Sequence, residues 1–331
     1  MHIRPQSLDE FKSTSNKDVV ERLRIAIASA KKRNKILQNV LLYGNAGLGK
    51  TTLSNIIANE LDAEFITRTG GSIASQKDIF LLLLEVNRAQ LRGKKVVFFI
   101  DEIHKLAVTD MPEELFYSIL EDFVFYSGLS GKKVIIDGKE NRILCNAVAT
   151  KDPFTIIGAT TSPGNLNKPL RDRFGIHCYL KEYSTEDLIS VLKFHAEKEK
   201  IIVNEDALKE IAKRGRGVPR IAISFLLSCR DRSLYKDLNE LDAETVKEEM
   251  NLQRIEEDGL TQIDLIVLQT LMLNPKGMGL ANLAGTAAID KTTLEEMILS
   301  FLQSRGLTKT TNKRFITEAG IERIKNAIPS K

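Results

Sequence analysis

The sequence predicts an α/β domain built on a parallel sheet, followed by an all-helical domain and then by a winged-helix domain. Three observations lead to this prediction. Short apolar runs alternate with amphipathic stretches between residues 39 and 180, which is typical of a parallel sheet covered by helices on both faces. From Ser184 the periodicity is that of helices alone. From Glu256, three helical stretches precede two short pieces that can pair as a hairpin, which is the winged-helix pattern.

The first domain is expected to contain five strands with helices between them. The strands are predicted from apolar runs at Val40–Tyr43, Glu64–Arg68, Val96–Ile100, Phe154–Ala159 and Ile176–Leu180. Two of the intervening helices are predicted at Thr52–Leu61 and Ser75–Leu91. The segment Val124–Thr150 interrupts the alternation and predicts a β-hairpin, with β-like pieces at Lys133–Ile136 and Ile143–Cys145.

Helix-start signals organise the rest of the chain. Ser184-Thr185-Glu186-Asp187 has an acidic first turn, and further entries follow at Asn204-Glu205-Asp206 and Gly217-Val218-Pro219-Arg220. The winged-helix elements are predicted at Leu260–Leu273, Leu280–Ala287 and Thr293–Ser304 for the helices and at Leu307–Lys309 and Phe315–Thr317 for the hairpin. We therefore expect domains at residues 1–182, 183–255 and 256–331.

The composition is that of an ordinary globular protein. Of 331 residues, 43% are hydrophobic and 28% are charged, and this length suggests two or three domains. No apolar run reaches about 18 residues, so no membrane-spanning helix is expected, and Met1–Pro5 does not begin a signal peptide. Cys145, Cys178, Cys229 and the four histidines are scattered without metal-binding spacing. A reducing, cytoplasmic location is the resulting expectation.

Charge is distributed unevenly along the chain. The net charge of +4 is too small to indicate nucleic acid binding by itself. Between Phe301 and Lys331, however, seven lysines and arginines accompany only two acidic residues, Glu318 and Glu322. This basic end is either a phosphate-binding patch or a solvated surface, and the residues alone leave both interpretations open.

Residues Gly44–Thr51 carry the most informative pattern in the chain, G-x-x-x-x-G-K-T. In such a loop the glycines let backbone N–H groups turn toward phosphate oxygens. Lys50 is expected to reach the β- and γ-phosphates of a nucleotide, and Thr51 to place its hydroxyl on Mg²⁺. A predicted strand precedes the loop and a predicted helix follows it, so the positive end of the helix dipole faces the phosphates.

Two carboxylates follow the third predicted strand. Val96–Ile100 delivers Asp101 and Glu102 to the edge of the sheet, beside the phosphate loop. Oxygen ligands suit Mg²⁺, so we expect Asp101 to hold that ion directly or through water. We expect Glu102 to act as general base or to orient the attacking water.

Hydroxyls and guanidinium groups complete the candidate site. Thr160 and Thr161 follow the next strand, where a hydroxyl is able to bond the attacking water. Arg171 and Arg173 lie in a turn that suits an arginine finger entering a neighbouring subunit's site. Arg220 begins a helix from which it is able to touch the γ-phosphate. The simpler alternative for each arginine is a solvated surface position.

Together these residues resemble the AAA+ ATPases and, more narrowly, the RuvB family of Holliday-junction branch-migration motors. All AAA+ proteins share the phosphate loop and the Asp-Glu pair, whereas the run Leu170–Gly175 and the winged-helix end are specific to the RuvB family. The matching stretches cover nearly the whole chain: Ile3–Pro5, Leu8–Phe11, Leu41–Gly44, Gly47–Thr52, Ile57–Leu61, Phe99–His104, Glu121–Phe123, Phe154–Thr161, Pro169–Gly175, Gly217–Ala222, Gly279–Leu280, Thr293–Glu296 and Phe301–Leu307.

The resemblance implies a role for each matching residue. The catalytic set is Lys50 (Walker A), Asp101 and Glu102 (Walker B), Thr161 (sensor 1), Arg173 (arginine finger) and Arg220 (sensor 2). Thr51, the second Walker A residue, is implied to contact ATP and to hold Mg²⁺ together with Asp101. Thr160 and Arg171 are the alternatives for sensor 1 and the finger. The implied ATP contacts beyond this set are Arg4, Pro5, Gly44, Asn45, Ala46, Gly47, Leu48, Gly49, Thr52, Tyr183 and Pro219. The implied contacts to DNA phosphates are Lys309, Lys313 and Arg314.

The resemblance also implies partners and an activity. It predicts an ATP-hydrolysing homo-oligomeric ring, a hexamer, that moves double-stranded DNA at a four-way junction, with Mg²⁺ as cofactor. In the family the 124–150 hairpin docks on RuvA. Here it is longer and its residues do not match, so a RuvA-type partner, a different recruiter and a drifted loop with the same role all stay open. Two other classes stay open as well: a clamp-loader-like or initiator-like switch without translocation, and an adaptor that binds ATP but hardly hydrolyses it.

The chain departs from the family pattern at further places. Asn45-Ala46 stands where the family has Pro-Pro, and Phe11 is followed by Lys12–Ser15 instead of Gly-Gln. The wing carries Lys309–Arg314 in place of an Arg-Thr-Pro-Arg-Gly-Arg run. The first departure leaves the phosphate-loop glycines intact, whereas the second predicts that nucleotide gating differs.

Overall fold

The computed structural model describes residues 3–108, 114–126, 130–136, 139–142 and 147–327. Contacts along the chain divide it into two units. The first unit comprises Met1–Val191 together with the short segment Val218–Arg220, and the second comprises Leu192–Gly217 and Ile221–Lys331. The three domain boundaries expected from the sequence stay predictions.

Nine strands and five helices belong to the first unit. The strands are β1 (Val40–Tyr43), β2 (Ala63–Thr69), β3 (Lys95–Asp101), β4 (Val124–Tyr126), β5 (Lys133–Ile136), β6 (Lys139–Arg142), β7 (Ala147–Ala149), β8 (Thr155–Thr160) and β9 (Ile176–Tyr179) among the described residues. The helices described there are α1 (Lys17–Lys32), α2 (Lys50–Glu60), α3 (Gln76–Leu91), α4 (Glu114–Asp122) and α5 (Lys168–Asp172).

A parallel sheet organises this unit, with strand order β2-β3-β8-β1-β9. All five strands predicted from the sequence are confirmed, each within one residue at either end. Phe98 and Phe99 point to opposite faces of β3 and both are fully buried, as expected when helices cover both faces of a parallel sheet. The carboxyl ends of β1, β3 and β8 therefore meet at one edge.

Local sequence explains the helices around this sheet. Ser75 caps α3 and forms a capping box with Asp78, which confirms the predicted helix start. The sequence analysis did not assign α1, although Leu23, Ile27 and Ala30 form its buried stripe at helical spacing.

The segment between α4 and β8 is a β excursion, as predicted. β4 pairs with β7 and β5 pairs with β6, both antiparallel. The predicted strand Lys133–Ile136 is confirmed, whereas the predicted piece Ile143–Cys145 lies outside the described residues.

Helices continue after β9 and dominate the second unit. They are α6 (Thr185–Glu199), α7 (Glu205–Arg214), α8 (Pro219–Tyr235) and α9 (Ala243–Leu252). The helix entries predicted near Ser184, Asn204 and Gly217 are confirmed, and the Asn204 side chain caps α7 by accepting from the Ala207 N–H.

The end of the chain is a winged helix, as the sequence predicts. Its elements are α10 (Gln262–Met272), α11 (Leu280–Ala287), α12 (Lys291–Thr293), a π-helical turn (Leu294–Leu299), α13 (Ser300–Ser304), β10 (Thr308–Thr310), β11 (Arg314–Ile316) and α14 (Glu318–Ala327). β10 and β11 pair as an antiparallel hairpin, and Met278 adds a bridge to Arg314. Within the described part of the chain, no helix is long and apolar enough to cross a membrane.

Candidate nucleotide-binding site

The phosphate loop joins β1 to α2 and has a backbone that glycine adopts most readily. Gly44, Gly47 and Gly49 have φ values of 141°, 80° and 97°. A Cβ at Gly44 would lie 2.4 Å from the Leu180 carbonyl oxygen, so the main chain excludes a side chain there. Gly49 precedes α2 and supplies no side-chain cap, so the first-turn N–H groups are directed at any bound anion.

Lys50 is buried at the start of α2. Its Nζ donates to the carbonyl oxygens of Gly44 at 2.7 Å and Asn45 at 2.9 Å. Burial lowers the pKa of Lys50, the nearby carboxylates of Glu102 and Asp101 act in the opposite direction, and Arg220 adds to the lowering. The structure thus brings both carboxylates and the Arg220 guanidinium within electrostatic range of the loop lysine.

Oxygen donors of the kind that Mg²⁺ prefers follow Lys50 in the chain and end the strand β3, whose carboxylates influence Lys50 electrostatically. Thr51 and Thr52 are half-buried in the first turn of α2, and neither hydroxyl has a recorded hydrogen bond to another described residue. Asp101 ends β3, and its Oδ1 accepts the Glu102 N–H at 3.0 Å, which leaves Oδ2 for another partner. This donor set fits a hard divalent cation.

Glu102 has an unusual backbone conformation. Its φ is +49°, in the left-handed region that non-glycine residues seldom adopt. Gly70 packs against it so closely that a Cβ at Gly70 would lie 2.4 Å from the Glu102 carbonyl oxygen. The Glu102 Oε2 accepts from the Thr161 hydroxyl at 3.2 Å. The structure therefore brings the predicted base and the predicted sensor 1 into contact.

His104 joins this cluster, and the sequence analysis gave it no role. Its Nδ1 lies 2.9 Å from the Thr160 Oγ1 and 3.2 Å from the Glu102 Oε2. Thr160 is fully buried, and its hydroxyl also accepts the Ser162 N–H at 2.9 Å. The two threonines left open by the sequence thus differ, because Thr161 contacts Glu102 directly and Thr160 contacts it only through His104.

The ATP contacts implied outside the loop, among them Tyr183, Arg4 and Pro5, are only partly assembled at the loop. Tyr183 is buried, which raises its pKa above the usual value, and its hydroxyl donates to the Leu48 carbonyl oxygen at 3.4 Å. Phe11, which the sequence analysis did not assign to the site, meets the Tyr183 ring at 6.4 Å between centroids. For Arg4 and Pro5 no contact with the loop is recorded, and the Arg4 carbonyl accepts from Gln6.

The remaining predicted contacts lie around the loop's exposed side. Asn45 donates to the Glu182 carboxylate at 3.2 Å, whereas Ala46 is exposed. A Cβ at Gly47 would lie 2.7 Å from the Val218 Cγ1 and 3.2 Å from the Arg220 Cβ. Glycine at this position therefore allows Val218–Arg220 to approach the loop closely.

Arg173 is bound within its own chain. Its guanidinium lies 4.0 Å from the centre of the Tyr117 ring, donates to the Pro169 carbonyl oxygen at 2.8 Å and lies 3.0 Å from the Glu121 carboxylate. The Nε–Glu121 approach is an ion pair without hydrogen-bond geometry. Arg171 is half-buried and has no recorded ion pair with another described residue. No contact places either arginine at the phosphate loop of the same chain.

The three predicted DNA contacts in the wing are not equivalent. Lys309 and Lys313 are exposed on and beside the hairpin. Arg314 is mostly buried, and its Nη2 donates to the Glu295 carboxylate at 2.9 Å. The wing therefore presents two exposed ammonium groups without a partner among the described residues, and one guanidinium that is already paired.

The first unit has a phosphate loop between β1 and α2, paired carboxylates after β3 and a hydroxyl after β8. An arginine also returns to the loop at Val218–Arg220. Together these features define an AAA+ ATPase. Family models cover the chain in three successive parts. They are the Holliday junction DNA helicase RuvB P-loop domain at residues 3–180, the RuvB AAA lid domain at 183–256 and the RuvB C-terminal winged helix domain at 257–325. The chain belongs to the RuvB family.

Named relatives and solved structures agree with this membership. The chain is 35% identical to the Holliday junction branch migration complex subunit RuvB of Thermotoga maritima, over 99% of this chain and 93% of that protein. It is 36% identical to the subunit of the same name from Koribacter versatilis, over 100% and 88% respectively. The structure titled Thermotoga maritima RuvB Holliday junction branch migration motor matches with a TM-score of 0.81 and 34% identity, over 98% of this chain and 99% of that one.

Proposed function

We propose that this protein is the ATP-driven motor of Holliday junction branch migration. The observation that carries the proposal is the presence, in one chain, of a phosphate loop beside paired carboxylates and of a winged helix with a basic hairpin, at full-length similarity to proteins named for that activity. Hydrolysis at the edge supplies the energy, and the winged helix holds the DNA.

In this mechanism the loop residues bind and orient the triphosphate. Lys50 exchanges its bonds to the Gly44 and Asn45 carbonyls for bonds to phosphate oxygens, which the loop N–H groups also hold. Glu102 accepts a proton from the attacking water, and Thr161 keeps one oxygen of that carboxylate in place. Arg220 is near enough to Lys50 to sense a γ-phosphate beside it.

Thr51 and Asp101 are the residues that would hold Mg²⁺. A hydroxyl and a carboxylate oxygen match the ligand preference of this ion, and the Asp101 Oδ2 is not used by the Glu102 N–H. When bound, the ion neutralises charge on the phosphoryl group during transfer. The rest of the chemistry lies with the side chains named above.

We infer that a second subunit completes the site, because among the described residues neither Arg171 nor Arg173 contacts the phosphate loop of its own chain. Arg173 is well placed to complete a neighbouring subunit's site, as the family resemblance implies, and a closed ring, a hexamer, gives every subunit such a neighbour. On DNA, Lys309 and Lys313 supply the phosphate contacts of the wing. The hairpin at 124–150 is the proposed contact for a RuvA-type partner or another recruiter.

The experiment that tests the proposal is branch migration of a synthetic four-way junction, with and without a RuvA-type partner. Wild-type protein should dissociate the junction into duplexes by branch migration, in a reaction that depends on ATP. Glu102→Gln should bind ATP with unchanged affinity and lose both hydrolysis and migration. Hydrolysis without strand movement under any partner condition would instead favour the alternative, an AAA+ switch that remodels protein on DNA without translocation.

A further inference from the structure

His104 lies in the three-residue cluster around the Glu102 carboxylate, and its geometry is specific. The Oε2 of Glu102 is 3.2 Å from both the Thr161 hydroxyl and the His104 Nδ1. Both neighbours approach the same carboxylate oxygen, so Oε1 carries no recorded bond from a described residue. The Glu102 Oε2 therefore has two close neighbours, whereas Oε1 has none among the described residues.

The Nδ1 of His104 has two oxygen neighbours. It hydrogen-bonds the Thr160 hydroxyl at 2.9 Å, whereas its 3.2 Å approach to the Glu102 Oε2 is an ion-pair distance without hydrogen-bond geometry. A lone pair on Nδ1 would repel the carboxylate, so a hydrogen on Nδ1 is the favourable arrangement beside Glu102. The Thr160 hydroxyl, fully buried and 2.9 Å from the same nitrogen, keeps the ring in the orientation that aims Nδ1 at Glu102. Thr160 is in turn fixed by the Ser162 N–H.

The backbone of Glu102 has little freedom of its own. Its left-handed φ and the close packing of Gly70 against its carbonyl hold the main chain in one conformation. The direction of the carboxylate is then set by side-chain rotation alone, and Thr161 and His104 are the groups that restrict that rotation. A catalytic base must be held within a fraction of an ångström of its productive position.

We propose that His104 is a positioning residue for Glu102. With its hydrogen on Nδ1, the ring attracts Oε2 across 3.2 Å, which leaves Oε1 free to take the proton of the water that attacks the γ-phosphate. This rests on the proposed function, in which Glu102 is the base. His104 contacts neither nucleotide nor water in this role and acts only through the carboxylate.

Two substitutions separate this role from simple packing. His104→Leu keeps the bulk of the side chain and removes the donor, whereas His104→Asn places an amide N–H near the position of Nδ1. We expect His104→Leu to slow single-turnover ATP hydrolysis by about tenfold or more, since loss of an orienting partner commonly has an effect of that size. Affinity for a fluorescent non-hydrolysable ATP analogue should stay within about twofold, and His104→Asn should regain most of the rate.

The same measurement in a Glu102→Gln background is the sharper test. If His104 acts through Glu102, then adding His104→Leu to Glu102→Gln should leave the residual single-turnover rate unchanged. An equal loss in both backgrounds, an equal loss of affinity, or no recovery with Asn would overturn the proposal. The outcomes also separate the two hypotheses. Normal hydrolysis by Glu102→Gln would refute the function of Glu102, whereas normal hydrolysis by His104→Leu alone would refute only the role of His104.

Discussion

Arg173 shows how the same side chain can be bound in its own chain and still be chemically suited to another. Its guanidinium lies against Tyr117 and Glu121 of α4, the helix that leads directly into the β4 strand of the hairpin segment. These contacts hold the planar group in a fixed orientation instead of leaving it in solvent. Arg171, two residues earlier, has no comparable contact among the described residues.

Mixing two inactive variants tests the role of Arg173 between subunits. Arg173→Ala and Lys50→Ala should each lower ATP hydrolysis by about 1,000-fold or more in uniform rings. Equal mixtures should regain turnover, because about a quarter of the sites then combine an intact Lys50 with an intact Arg173 from the neighbour. Steady-state hydrolysis across mixing ratios is the measurement.

Arg171→Ala is the matched control for that experiment. It removes a guanidinium from the same turn and should hydrolyse ATP at nearly the wild-type rate on its own. If hydrolysis recovers only in mixtures that contain Arg171→Ala, the finger role belongs to Arg171. If neither mixture recovers hydrolysis, action between subunits is excluded.

His195 gives the second unit a dependence on pH. Burial lowers its pKa, and Glu199 acts in the opposite direction. The folded-state pKa therefore lies below the ordinary histidine value of 6.5, which holds for the unfolded chain, so the unfolded state binds the additional proton first as the pH falls. The contribution of His195 to the free energy of unfolding should be constant well above pH 6.5. The free energy of unfolding should fall as the pH drops below that value, by at most about 1.4 kcal/mol per pH unit.

Urea unfolding from about pH 8 to about pH 5 measures this effect, a range that spans the ordinary histidine pKa. His195→Gln should show a smaller loss of stability across the acidic half of the range. Between about pH 7 and about pH 8 both proteins should respond alike, since the histidine is neutral in both states there. Identical slopes in the acidic half would contradict the assignment.

The structure brings together several residues that the sequence predicts for the site, and one neighbour that the sequence does not predict. Lys50, Asp101 and Glu102 are recognisable because phosphate and metal chemistry demands those groups at those positions. His104 is not, since its role depends on a distance to Thr160 that only the folded chain defines.

Arg216 makes the most buried ion pair between elements of the second unit. It lies between α7 and α8, donates to the Gly259 carbonyl oxygen at 2.8 Å, pairs with Asp264 of α10 and stacks over Phe301 at 4.2 Å. The side chains are 13% and 0% exposed for Arg216 and Asp264. The element that follows Arg216 is the segment that returns to the phosphate loop.

Removing Arg216 should destabilise this unit strongly. Arg216→Ala leaves the Asp264 carboxylate buried without its charge partner, which typically costs about 3 to 5 kcal/mol. Arg24→Ala is the control, because the Arg24 and Asp9 side chains are 44% and 81% exposed and such pairs contribute at most about 1 kcal/mol. Urea unfolding of the two variants should differ accordingly, and equal losses would show that the Asp264 pair is no more than a surface contact.

Prediction of helices and strands succeeded where the hydrophobic periodicity and the capping residues agree. It missed α1, which has the periodicity but no side-chain cap, and elements in which both signals are weak. The strands of the sheet and α11 are confirmed almost residue for residue. The helix α14 was not predicted, because its apolar positions are few and its buried Ile324 has meaning only against the core of the winged helix. No sequence pattern predicted the π-helical turn at Leu294–Leu299.

At the scale of the whole molecule, DNA binding should depend on salt through the wing. Each phosphate contact that is lost should lower the slope of log affinity against log salt by about 0.9. Lys309→Ala and Lys313→Ala should each have that effect on binding to duplex DNA, because both ammonium groups are free. Fluorescence anisotropy over a range of salt concentrations measures the slope.

Arg314→Ala distinguishes the two interpretations of the wing. Since Glu295 already pairs with this guanidinium, its loss should reduce the stability of the wing and leave the salt slope nearly unchanged. A fall in slope as large as that of the lysine variants would restore Arg314 to the set of phosphate contacts.

The chain enters the first unit twice, the second time for only three residues. Val218–Arg220 belong to that unit, although the segments on both sides belong to the other. The lack of a side chain at Gly47 lets these three residues approach the phosphate loop closely. No single cut in the polypeptide therefore separates a complete phosphate-loop unit from the rest. A gene fragment ending before residue 218 encodes a loop without its returning arginine. A protein fragment that is to keep this arginine at the loop therefore has to include residues from both sides of the boundary between the two units.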